Sequence, residues 1–111
     1  MKTMYTFTRN GLGDAPEGLR QALAVKFLSL LAQEEQLPAA ILFYTEGVKL
    51  VVEGSLVINW LEMLQGKGVE LIICSTCLEY FGLKDQVRVG KIAGMPDIIA
   101  AMQTADKVVA L

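Results

Sequence analysis

Cys74 and Cys77 are the only two cysteines among 111 residues, and they are the side chains best suited to do chemistry. The chain has no histidine, so imidazole is excluded as a general base and as a metal ligand. A zinc site built on two cysteines would need two carboxylates as well, an unusual set, so no metal is expected. The pair closes an apolar run, Val69-Glu70-Leu71-Ile72-Ile73, of the kind that forms a strand buried on both faces inside a parallel sheet. Thr76-Cys77-Leu78-Glu79 then matches a capping box, with Thr76 as N-cap and Glu79 reaching back to the N-cap amide. Both thiols are therefore expected at a strand-to-helix turn beside the backbone amides of Ser75 to Leu78. A helix start carries roughly half a positive charge. That charge stabilises a thiolate and should lower its pKa by about one unit. The strand-end position is expected to present Cys74 to solvent, and the three-residue spacing to bring Cys77 within disulfide reach.

Other chemistries fit less well. Cys-Ser-Thr-Cys suggests a thioredoxin-type redox motif, but here it follows the third strand rather than an early one, and Met95-Pro96 introduces a helix, not a strand. Gly11-Leu12-Gly13 could cradle a phosphate, yet a dinucleotide fingerprint needs Gly or Ala where Pro16 stands, and Asp14 would repel the anion. No cofactor is expected. Lys49 supplies an ammonium that could steer an anionic sulfur species toward the thiols. With Ser75, Thr76, Gly47 and Asn10 it completes the set expected to bind or activate a substrate.

The elements that must position these residues follow from periodicity. Met4 to Thr8 reads as a strand, followed by the Asn10 turn and by a helix start at Asp14-Ala15-Pro16-Glu17. That helix is expected to run to about Glu35 and to bury Leu19, Leu23, Phe27, Leu30 and Leu31. Ala39 to Tyr44 is a second buried strand, opening into the loop Thr45 to Leu50. Ser55 should cap a helix with Leu56, Val57, Trp60, Leu61 and Leu64 inside. After the cysteine strand, Val87 to Ile92 reads as a strand, Met95-Pro96-Asp97 as a helix start with Ile98, Ala101, Met102 and Ala105 inward, and Lys107 to Leu111 as the last strand. Strands alternating with helices predict an α/β fold with a parallel sheet of about five strands covered on both faces. Functional loops gather at the carboxyl ends of such strands, so Arg9–Asp14, Thr45–Leu50 and Cys74–Cys77 should share one edge.

Composition bounds the partners. The length fits one domain, 1–111. A net charge of −2 without charge blocks carries no footprint for nucleic acid or anionic lipid. Hydrophobic residues reach 53% and the mean hydropathy is +0.44, yet no run of 18 apolar residues occurs. The expected outlet for the excess is a homo-oligomer, not a membrane. The alternating amino terminus does not read as a signal peptide, and two closely spaced thiols suit a reducing, cytoplasmic setting.

Gly47-Val48-Lys49-Leu50, the run from Cys74 to Asp85 and the ending Ala105-Asp106-Lys107-Val108 together resemble the DsrE-like family, most closely the carboxyl-terminal domain of YedF-type sulfurtransferase-like proteins linked to selenium metabolism. The resemblance covers nearly the whole chain. It implies a three-layer flavodoxin-like fold, homo-oligomers, and a cysteine that carries sulfur as a persulfide between sulfur-relay partner proteins. It assigns that role to Cys74, which is followed eight residues later by Gly82, while Cys77 belongs to the narrower YedF-type pattern. The Cys-Pro motif of two-domain YedF-type proteins does not occur in this sequence. The expected function is thus a sulfur or selenium carrier, with Cys77 as a resolving or shielding thiol. The alternative is a non-enzymatic, oligomeric small-ligand-binding or assembly subunit whose cysteines only pack.

Overall fold

A computed structural model describes all 111 residues. Five strands form one wholly parallel sheet: β1 (Thr3–Phe7), β2 (Ala40–Phe43), β3 (Glu70–Cys74), β4 (Lys91–Ala93) and β5 (Lys107–Ala110). Their order is β4-β3-β2-β1-β5. The helices are α1 (Glu17–Leu31), α2 (Ile58–Gly66), α3 (Ser75–Phe81) and α4 (Met95–Thr104), and the chain after β2 makes a 3-10 helix, Thr45–Val51, where a loop was expected. This is the expected α/β architecture with helices on both faces.

Strand order decides how the helices are shared. The steps β1→β2→β3→β4 all run the same way across the sheet, and right-handed crossovers then place α1, α2 and α3 on one face. Only the return from β4 to β5 reverses direction and puts α4 on the other face. The register agrees. Tyr5 meets Phe27 of α1 edge-to-face, and Phe7 stacks on its neighbour Phe43 at 5.6 Å. The alternate residues Met4, Ala40 and Ile72 look toward Ala100, Ala101 and Thr104 of α4 across a cavity of about 290 Å³.

Several boundaries differ from expectation for identifiable reasons. The first helix starts at Glu17 behind Pro16, not at Asp14, because residues 11–15 are folded against it: Arg20 donates from Nη1 to the Ala15 carbonyl, and Leu12 N–H donates to the Arg20 carbonyl. It ends at Leu31, not near Glu35, and the Lys67 ammonium donates to the carbonyl of Ala32 just beyond. Its buried side is Ala24, Leu28 and Leu31, so Leu19, Leu23 and Leu30 of the expected stripe face outward. Leu56 is likewise exposed, because α2 begins only at Ile58, after Ser55 Oγ has accepted the Val57 amide. The fourth strand is shorter than Val87–Ile92. Residues 86–88 pair instead with 51–53, through Glu53 N–H to the Gln86 carbonyl and Arg88 N–H to the Val51 carbonyl. Gly90, at φ +90°, then turns the chain into the sheet so close to Leu71 and Ile73 that a side chain there would meet Ile73 Cδ1 at 2.7 Å.

Candidate functional site

The expected gathering of loops at one sheet edge holds. β2 and β3 pair in register, Phe43 beside Ile73, so the residues that follow them, Thr45 and Ser75–Cys77, emerge side by side. Cys74 ends β3 and serves as the residue before α3, in extended conformation. Its sulfur is a weak hydrogen-bond acceptor and makes no capping bond. The expected capping box is therefore displaced. Thr76 is the second helical residue rather than the N-cap, and no side chain, Glu79 included, caps this start. Glu79 instead takes the Lys84 ammonium at 3.2 Å.

The two thiols, both free, occupy different environments. Cys74 sits beside Ala93 of β4 on the sheet face that α4 covers and is only 2% exposed. The expected exposure of Cys74 is thus not found: the last strand position is still inside the sheet, between the start of α3 and the adjoining strand. Cys77, one helical turn on, is half-buried and is the more accessible sulfur. Its Sγ accepts the backbone N–H of Thr45 at 3.0 Å, and Cys74, three residues earlier at the start of α3, is the neighbouring thiol. Burial and the neighbouring Cys74 push the Cys77 thiol above its ordinary value, and the Thr45 amide only partly offsets them. At Cys77, then, the helix start does not lower the thiol as expected. Desolvation wins, and α3 is only seven residues long.

Thr45 is the residue that sequence reasoning missed. It holds φ +50°, in a region a β-branched residue rarely adopts, and its hydroxyl donates to the carbonyl of Thr8 at 2.5 Å, within reach also of the Tyr44 carbonyl. The strained backbone thus turns one N–H toward sulfur while the side chain ties the turn to the end of β1. The signal available beforehand was weak: Thr45 directly follows the strand that neighbours the cysteine strand. Gly47 works with it. A Cβ at Gly47 would lie 2.0 Å from the Phe7 carbonyl oxygen, so only glycine lets the 3-10 helix settle on β1. Gly47 therefore shapes the turn that carries the Thr45 amide.

The remaining candidates are divided between two places. Ser75 and Thr76 belong to the first turn of α3 beside the thiols. Lys49 pairs with Glu46 at 2.6 Å and lies 4.7 Å above the Phe81 ring, so its ammonium is engaged within the 3-10 helix and α3. Lys49 and Asn10 line a separate open cleft of about 400 Å³ with Glu17, Gln21 and Glu53, which neither cysteine lines. Asn10 is positioned there by its carbonyl, which accepts Gln21 Nε2 at 2.6 Å. No group of three or more His, Cys, Asp or Glu side chains is placed to hold a metal ion, and no helix is long and apolar enough to cross a membrane.

Three comparisons bear on this geometry. The family model described as DsrE/DsrF-like matches residues 1–111. No curated protein matches the chain. Among solved structures, the YchN protein of E. coli superposes with a TM-score of 0.73 at 18% identity, covering 100% of both chains. MTH1491 of Methanobacterium thermoautotrophicum, a protein of unknown function, superposes with a TM-score of 0.70 at 18% identity, covering 99% of this chain and 98% of its own. At such identity these two likenesses establish a shared fold.

Proposed function

This chain belongs to the DsrE/DsrF-like family, which is associated with sulfur relay, and on that premise we propose that it carries sulfane sulfur, or the chemically similar selenium, as a persulfide on the Cys74–Cys77 pair. The observation that supports the reading best is the pairing of two free thiols one turn apart at the carboxyl edge of a parallel sheet, with a backbone amide donating to the outer sulfur. Cys77 is the sulfur a donor reaches first, because Cys74 lies behind it. Cys74, the carrier that the family pattern favours, then takes part through Cys77. Ser75, Thr76 and Gly47 shape the corner. Lys49 and Asn10 line the separate cleft and, on this reading, act on a relay partner rather than on the sulfur itself.

The outward Leu19, Leu23 and Leu30 of α1, with Met95 and Ile99 of α4, support association of copies of the chain. Light scattering at micromolar concentration tests this, and a monomer would contradict it. A second reading draws on the near-complete burial of Cys74, which is what a small packing residue would show: a non-enzymatic assembly or small-ligand-binding subunit. Intact mass after incubation with a persulfide donor separates the two. The carrier gains one sulfur on wild type or on a single-cysteine variant, whereas the packing reading requires no gain on any of them.

A further inference from the structure

Resting on that carrier reading, we propose that the pair also discharges its cargo within the chain: Cys74 attacks a persulfide on Cys77, forming a Cys74–Cys77 disulfide and releasing hydrosulfide. The protein would then be a persulfide-reducing site fed by a sulfane-sulfur donor and reset by an external dithiol.

Cys74 stands immediately before α3 and Cys77 is its third residue, so the Cys74 thiol is one turn from Cys77 Sγ, the atom that becomes the inner sulfur once Cys77 is persulfidated. The added outer sulfur stands one bond, about 2.05 Å, beyond Sγ. Cys74 is enclosed by the sheet while Cys77 is partly open, so the room for that outer sulfur is on the solvent side, away from Cys74. Attack from the buried Cys74 side then expels the outer sulfur on the opposite, solvent side, the direction that displacement at sulfur requires. Leaving-group acidity points the same way. A thiol held above its ordinary value is a poor leaving group, whereas hydrogen sulfide is more acidic than an ordinary thiol and departs more readily. Attack on the inner sulfur is thereby favoured over passing the outer sulfur to Cys74.

The steps balance. The Cys77 thiolate attacks the sulfane sulfur of a donor persulfide, forming Cys77–S–SH and expelling the donor as its thiolate. The Cys74 sulfur bonds to Cys77 Sγ and its proton passes to the departing outer sulfur. The bond from Sγ to the outer sulfur breaks, and that sulfur leaves with the electron pair and the proton as hydrogen sulfide, which ionises to hydrosulfide in solution. Two cysteine thiols are oxidised to a disulfide, and one sulfane sulfur is reduced to sulfide. A dithiol reductant then returns the pair to thiols and itself becomes a disulfide.

The test uses the reduced full chain under anaerobic conditions with one equivalent of glutathione persulfide, following hydrosulfide release, remaining thiols and peptide masses. Wild type is expected to lose both thiols together, to yield the Cys74–Cys77 linked peptide and to release hydrosulfide in equal amount. Cys74→Ser is expected to keep the added sulfur on Cys77 and to fall to the donor's own background of release. Cys74→Ala provides the same measurement should serine disturb the buried position. Wild type that retains the persulfide while Cys74 stays free for alkylation overturns the discharge step and leaves the carrier reading standing. Absence of added sulfur from wild type and both variants, with no linked peptide, overturns the carrier reading itself.

Discussion

The two faces of the sheet are built to different densities. On the face of α1, α2 and α3, Phe7, Phe43, Leu28, Leu61 and Leu78 are fully buried and two phenyl rings stack. On the other face α4 stands alone. Ile98 is its one buried residue, small side chains leave a cavity, and Val108 of β5 is 44% exposed. The two sulfurs straddle this divide. Cys77 rides on a helix of the dense face, and Cys74 points into the sparse one. Strand order alone produces the asymmetry, and it teaches that the two thiols answer to different packing layers.

The largest effect should come from the dense face. Phe43→Ala removes a stacked ring and is expected to cost about 4 kcal/mol in urea unfolding. Ile98→Ala should cost about 2 kcal/mol, because the neighbouring space on the α4 face already lacks contacts to lose. An equal or greater loss for Ile98→Ala would break the comparison. That variant should also raise the alkylation rate of Cys74 relative to Cys77, a readout that ordinary destabilisation spread evenly over the chain would not give.

Thr45→Ala removes the hydroxyl bond to the Thr8 carbonyl and should cost about 1 kcal/mol. By loosening the one contact that opposes the upward push on Cys77, it should move the alkylation profile of Cys77 further to high pH. In wild type that profile should inflect above the ordinary 9.0. Because the fold favours the neutral thiol, this contribution to stability is present below the ordinary value and is lost as pH rises through the raised one. An inflection below 9.0 would mean that the amide outweighs burial. Lys49→Ala should have the smallest effect, under about 1 kcal/mol, since its pair with Glu46 is exposed to water. Its effect on sulfur uptake, read as salt dependence of the rate, tests whether the ammonium contributes through long-range attraction.

Periodicity made the strands, the parallel sheet and its functional edge legible, because buried apolar runs and helix-length spacers leave few arrangements. It failed where tertiary contacts chose among near-equal local options. Leu19, Leu23 and Leu30 have helical spacing, yet beside the expected Leu31 the sheet took Ala24 and Leu28 instead. Val87 and Val89 alternate like a strand, but the segment found its partners at Val51 and Glu53. At the site, the cysteine spacing was readable and the burial order of the two thiols was not. Nor was the Thr45 amide, since any non-proline residue carries that donor and only a positive φ aims it.

Strand order also has a consequence in time. β1 to β4 are laid down in the sequence in which they neighbour one another, so four strands can add to a growing edge with only short-range searches. β5 is the exception. It pairs with β1, Thr3 beside Lys107, and Lys2 N–H meets the Asp106 carboxylate across 104 positions of sequence. Its docking is expected to be the slow, long-range step, and until it occurs one edge of β1 stays open to another chain. A nascent polypeptide would therefore display the finished cysteine corner while that edge is still unpaired, which makes the interval before β5 docks the moment of greatest risk for mispairing between copies.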